Sequence, residues 1–106
     1  MNDKYLASDW RSLELHRLIA TRVQNDPSLI QNAIENIDRW KRQNHSPQPY
    51  FDDWLEHINK GMTHLITFML SETDEAQRLR SSSPFVGDSF ITQAERDAIF
   101  EQFKNR

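Results

Sequence analysis

The chain contains no cysteine and only two glycines, Gly61 and Gly87, in 106 residues. The first absence excludes disulfides and thiolate metal sites, and it fits a reducing cytosol. The second leaves no glycine-rich loop to cradle a phosphate. Long hydrophobic runs are also missing. The longest lies near Leu65 to Leu70, far short of the about 20 apolar residues that a spanning helix needs. The first ten residues, MNDKYLASDW, lack the apolar segment of a signal peptide. A soluble, cytoplasmic protein with no membrane contact is expected. No excess of positive charge stands out either: Lys and Arg total 13 against 16 Asp and Glu, a net charge of -3. Residues 1–53 carry seven basic and eight acidic side chains, and residues 54–106 carry six and eight, so neither half has the basic footprint of a nucleic-acid binder.

What is present is aromatic. Hydrophobic residues make up only 37% of the chain, yet three Trp, six Phe and two Tyr are among them. Disordered chains are poor in such residues. The composition therefore predicts a folded domain whose packing rests on rings.

Helical punctuation recurs along the whole length. Ser8 or Asp9 is placed to cap a first helix running to about Gln24, with a wide apolar stripe from Trp10 to Val23. Asp26-Pro27 reads as the cap and first position of a second helix, because proline's missing N–H costs nothing there. Ile30, Ala33, Ile34, Ile37 and Trp40 follow at spacings of three and four, which puts Trp40 in phase with the core. Asn44 to Pro49 is a loop. Tyr50, Trp54, Leu55 and Ile58 mark a third helix, with Gly61 at its left-handed C-terminal position. Leu65, Ile66, Met69 and Leu70 mark a fourth. Ser71 or Thr73 caps a short fifth ending near Arg80. Thr92 and Glu95 form a capping box ahead of Ala98, Ile99, Phe100 and Phe103. The expected fold is all-α, a single compact domain of five or six helices over residues 1–106, with 1–7 a loose N-terminal segment.

No constellation is recognisably catalytic. His57 and His64 are seven apart, but Gly61 is expected to break the helix between them. No histidine and carboxylate set has metal-ligand spacing, so neither a metal nor a cofactor is expected. Asp52, Asp53 and Glu56 suit a helix N-terminus, as do Glu72, Asp74 and Glu75. Arg39, Lys41 and Arg42 surround Trp40 and form the densest basic spot, which fits the last turn of a helix better than a base-stacking surface. Arg78 and Arg80 stand beside Ser81, Ser82 and Ser83. They could hold a phosphate or carboxylate, or cap helical carbonyls. No GxSxG elbow accompanies the serines.

The tract RLRSSSPFVG, Arg78 to Gly87, is the most distinctive part of the chain. Proline after the serines ends a helix, and Phe85 and Val86 must then tuck onto the core or dock into something else. With WRSLELHRLIATRVQNDPSLIQNAIENIDRW, YFDDWLEHI and TQAERDAIF, this tract resembles small bacterial proteins that share an RLRxSSPFxG segment ahead of an acidic helix, the antitoxin or partner proteins of type II toxin–antitoxin modules. The resemblance spans about Trp10 to Phe100. It implies a non-enzymatic, protein-binding role: neutralising a toxin enzyme encoded nearby. The chain departs from familiar antitoxins in lacking a ribbon-helix-helix strand, an evident helix-turn-helix and a long neutralising tail. A DNA-binding transcriptional regulator, with weak DNA affinity of its own, is the alternative, and a small enzyme of unrecognised type the third. The expected partner-binding residues are Arg78, Arg80, Pro84, Phe85 and Val86, with Phe85 either an interface anchor or a lid on the core.

Overall fold

A computed structural model describes the backbone of residues 7–43 and 48–104 and the side chains of residues 9–43 and 48–102. Six helices follow in order: α1 (Ala7–Asn25), α2 (Leu29–Gln43), α3 (Pro49–Asn59), α4 (Met62–Met69), α5 (Asp74–Arg80) and α6 (Gln93–Lys104). The described residues contain no strand, and they fill a compact body of 39 × 28 × 26 Å. The all-α expectation holds. None of the described helices is long and apolar enough to cross a membrane.

α1 is the axis of the fold. It packs against α2, α4, α5 and α6, while α3 packs on α2 and α4. A helix with neighbours on most sides needs more than one apolar stripe, and Leu13, Ile19, Ala20 and Val23 are all buried. At the other side of the core, Trp54 of α3 is 1% exposed. Its ring meets Phe68 and Phe85 edge-on, at centroid distances of 5.7 and 5.4 Å. Its indole N–H donates to the Leu79 carbonyl at 3.0 Å, so the one polar atom of this buried ring is satisfied.

The junctions follow their residues. The Asp26 carboxylate accepts the Ser28 N–H at 3.2 Å, and Pro27 opens the turn into α2. Thr73 caps α5 by accepting from Ala76 N–H. The box at α6 closes in both directions: Thr92 N–H donates to Glu95 at 2.9 Å, and Glu95 N–H donates to the Thr92 hydroxyl at 3.2 Å. Glu95 also grips Arg22 at the end of α1, and Arg22 donates further to the Phe90 carbonyl at 2.6 Å. This cluster ties α6 to α1.

Several expectations are corrected. α1 begins at Ala7, so Ser8 and Asp9 lie inside its first turn rather than capping it. Pro49 opens α3 instead of closing a loop, and residues 44–47 of that expected loop lie outside the described residues, as do residues 1–6 of the N-terminal segment and the Phe103 side chain. Lys60 is the C-cap of α3, and Gly61 follows it at the expected positive φ, 104, with its N–H donating to the Ile58 carbonyl at 3.2 Å; its ψ of 168 then leads the chain into α4. Trp40 is only half-buried, packed against the edge of the core on Phe51; the fully buried tryptophan is Trp54.

Two measurements check this architecture. Trp54→Ala should cost about 3–5 kcal/mol in urea unfolding, and Trp40→Ala clearly less; the reverse order would contradict the packing. The second concerns acid. The Arg22 guanidinium, with help from the Thr92 N–H, holds the Glu95 carboxyl at about 2 against an ordinary 4.5. A depressed carboxyl adds stability that is present above its unfolded value and lost as pH falls through the folded one. The wild-type protein should lose stability from about pH 4.5 toward pH 2, and Glu95→Gln should flatten that stretch of the curve.

Candidate functional site

The segment after α5 carries the site. Its path is held from both sides. The Ser83 hydroxyl accepts the Phe85 N–H at 3.1 Å, a local turn that proline stiffens. Asn36 of α2 donates to the Pro84 carbonyl at 2.9 Å. Gly87, at φ 112, turns the chain so that its carbonyl accepts from both Phe90 and Ile91 N–H.

Phe85 drops into the core, 1% exposed, between Trp54 and Phe90. Of the two alternatives for this ring, the structure takes the lid. Pro84 is fully buried as well. Arg80 is 4% exposed and donates to the carbonyls of Met69 and Ser71, at 3.0 and 2.6 Å. It caps the end of α4 rather than its own helix. All three side chains are thus buried and help to hold the segment, while Arg80 and Phe85 also line the groove described below. Arg78 remains exposed and lies 3.7 Å from Asp53, and Val86 is 39% exposed.

Behind the segment stands a pair that lies 67 residues apart in sequence. His16 of α1 has one ring nitrogen, Nδ1, 2.7 Å from the Ser12 carbonyl, and the other, Nε2, 2.9 Å from the Ser83 hydroxyl. A carbonyl only accepts, so Nδ1 carries the proton and Nε2 accepts from Ser83. Burial, reinforced by the positive fields of Arg80 and Arg96, pushes the His16 imidazole down to about 4, against the opposing Ser12 bond. The pair has the distance of a nucleophile and its base. An imidazole held this low is a weak proton acceptor, however, and the Ser83 oxygen is already engaged by Phe85 N–H.

The segment forms one wall of an open groove of about 670 Å³. Its apolar lining includes Leu15, Ile19, Phe51 and Phe85, together with the half-buried Trp40 and Tyr50. Arg11, Arg80, Arg96 and Asp9 are the charged residues of its lining. The buried Gln77 Nε2 has no hydrogen-bond partner among the described residues.

Other sequence candidates resolve elsewhere. Lys41 pairs with Asp52 at 2.7 Å, Arg39 donates to Asn36 at 2.7 Å, and Trp40 packs on Phe51, so the basic spot is divided among local partners. Glu56 lies 3.7 Å from Lys60. The expected separation of His57 from His64 is corrected: Gly61 turns α4 back against α3, and the two rings share a hydrogen bond of 2.8 Å, with Glu75 3.7 Å from the far nitrogen of His57. Among the described residues no group of three His, Asp or Glu could hold a metal. No signal in the chain pointed to Asn36 or to the pairing of His16 with Ser83. No family model, no curated protein and no solved structure matches the chain.

A histidine whose folded value lies below its unfolded one stabilises the fold above its unfolded value, and that contribution is lost as pH falls and the unfolded chain takes up the proton. From about pH 6.5 down to about pH 4 the protein should therefore lose stability, on the order of 3 kcal/mol at most. Urea midpoints measured across that range test this. His16→Gln should remove the slope, and an unchanged slope would place its origin elsewhere.

Proposed function

We propose that this protein is a non-enzymatic interaction module that binds a protein partner over the groove and its rim, acting as an antitoxin-like neutraliser of a toxin enzyme in the bacterial cytoplasm. One observation carries the reading. Among the described residues the two exposed large hydrophobics are Val86, 39% exposed, and Phe100, 43% exposed, and both line the same groove. Exposed apolar side chains scattered singly need no explanation, but two converging on one concave surface describe an interaction site. Arg11 lies over the Phe100 ring, 5.1 Å from its centroid, which gives the rim the arginine and aromatic composition of interface hot spots. The sequence resemblance of Arg78 to Gly87 to antitoxin partners agrees with this location. Pro84 and Phe85 then act from beneath, by fixing where Val86 stands.

The test is co-expression with the product of the adjoining gene. The wild-type chain should co-purify with that product and relieve its toxicity. Val86→Asp combined with Phe100→Asp should leave the helical circular dichroism spectrum intact and weaken binding by about 2 kcal/mol or more, some 30-fold. A product that neither binds nor is neutralised would end the antitoxin reading, and full affinity in the double variant would move the interface away from the groove.

A further inference from the structure

We propose that α6 is a strap that leaves α1 as a unit, with Glu95 as its pin, and that its docking completes the interaction site by bringing Phe100 to the groove that Val86 lines. The inference rests on the reading of that site given above, and it names how the site is assembled and dismantled.

Burial is uneven over the six helices. α1 to α5 each carry buried side chains, whereas none of the described side chains of α6, Gln93 to Gln102, is buried. Apolar burial is what fixes a helix to its neighbours, and a helix of 12 residues is marginal in water by itself. The change along the chain is abrupt. Phe90 and Ile91 are buried, and Thr92 and Gln93 are exposed. The anchored core therefore ends at Ile91, and the pivot of α6 is Thr92.

Glu95 joins two tasks in one carboxylate. It accepts from the Thr92 N–H and hydroxyl at 2.9 and 3.0 Å, which completes the first turn of α6. It also accepts from Arg22 of α1 at 2.7 Å. Arg22 is fixed to the anchored side of the pivot by its bond to the Phe90 carbonyl. The start of the helix and its tether thus form and break at the same group. A helix that loses its cap and its tether together opens as a unit, the behaviour of a small cooperative segment. Water reaches this latch, since the Arg22 and Glu95 side chains are 30% and 31% exposed, and pairs so placed hold weakly. Further along α6, Phe100 meets Arg11, near the other end of α1.

The two exposed hydrophobics of the site fall on opposite sides of the pivot. Val86 belongs to the anchored part: Pro84 and Phe85 before it are buried, and Asn36 donates to the Pro84 carbonyl. Phe100 belongs to the strap. Undocking removes Phe100 and leaves Val86 in place, so only the docked protein presents both. A partner that contacts both binds the docked form better, and by linkage it holds α6 down.

Hydrogen exchange of the isotopically labelled full chain, read by NMR without a partner, tests the strap. The amides of residues 97–102 should share one opening and exchange about 100-fold or more faster than those of residues 17–23 in α1, after correction for intrinsic rates. Glu95→Gln should speed the α6 amides about tenfold or more and leave residues 17–23, Phe90 and Ile91 unchanged. Equal protection in α6 and α1 would overturn the inference, and so would rates that rise residue by residue toward the chain end and ignore Glu95→Gln. Ala98→Pro then tests the site. Ala98 is exposed and outside the groove lining, and proline in a helix interior keeps α6 from forming. The variant should keep the dispersed spectrum of α1 to α5 and bind the product of the adjoining gene about tenfold or more weakly. Collapse of the whole spectrum, or undiminished affinity, would overturn the inference. Exchange in the free chain involves no partner. Rigid α6 beside an intact partner complex therefore removes only the strap, whereas an opening α6 with no complex in the wild type removes the interaction reading.

Discussion

Burial of Phe85 is the contact on which the rest of this structure depends. The segment between α5 and α6 has no regular secondary structure, so its position must come from side chains. Phe85 inserts between Trp54 and Phe90 and joins the core that α1, α3, α4 and α5 build around it. Large aromatic rings bury enough apolar area to fix a loop that its backbone alone would leave open. Once the ring is seated, the Ser83 hydroxyl meets His16, the Pro84 carbonyl meets Asn36, and Val86 is turned outward. The groove wall is therefore a consequence of core packing. A change that frees Phe85 would dismantle the wall and the core together.

The helices were largely legible, and the reason is local. Capping and periodicity are relations between residues three or four apart, and Asp26, Thr73, Thr92 and Glu95 all do what their spacing implies. Features made across long separations were not legible. Nothing near His16 points to Ser83, and nothing near Asn36 points to Pro84, because those partners meet only after α1, α2 and the segment after α5 have packed. The two histidines of α3 and α4 show the same limit from the other side. Gly61 does break the helix, as its neighbours suggest, but the break reverses the chain and brings His57 and His64 together. Trp40 illustrates a third case: helical phase places a residue on a face, and only the neighbours decide whether that face is covered at its end.

Acidic side chains stabilise this fold through nearby partners. Asp52, Asp53, Glu56 and Glu95 each lie within ion-pair distance of a cation from the same or a neighbouring helix. Surface pairs of this kind contribute little singly. Their greater effect is on where positive charge is left over. Lys41, Lys60 and Arg22 are occupied, whereas Arg11 and Arg96, which line the groove, have no carboxylate within ion-pair distance among the described residues.

That distribution constrains the groove floor. A buried histidine in the fields of Arg80 and Arg96 disfavours a proton, and neutral His16 is what the loop requires, because only an unprotonated Nε2 accepts from Ser83. Arg96, which lines the groove, thus also helps, after burial and together with Arg80, to keep His16 neutral. The two roles are coupled electrostatically. A carboxylate bound near Arg96 would offset part of the field that bears on His16 and raise its proton affinity, while burial, the largest cause of the depression, would persist. The imidazole would remain neutral near pH 7 and the loop would stay anchored. The groove can therefore take up a negative charge without releasing the segment that forms it.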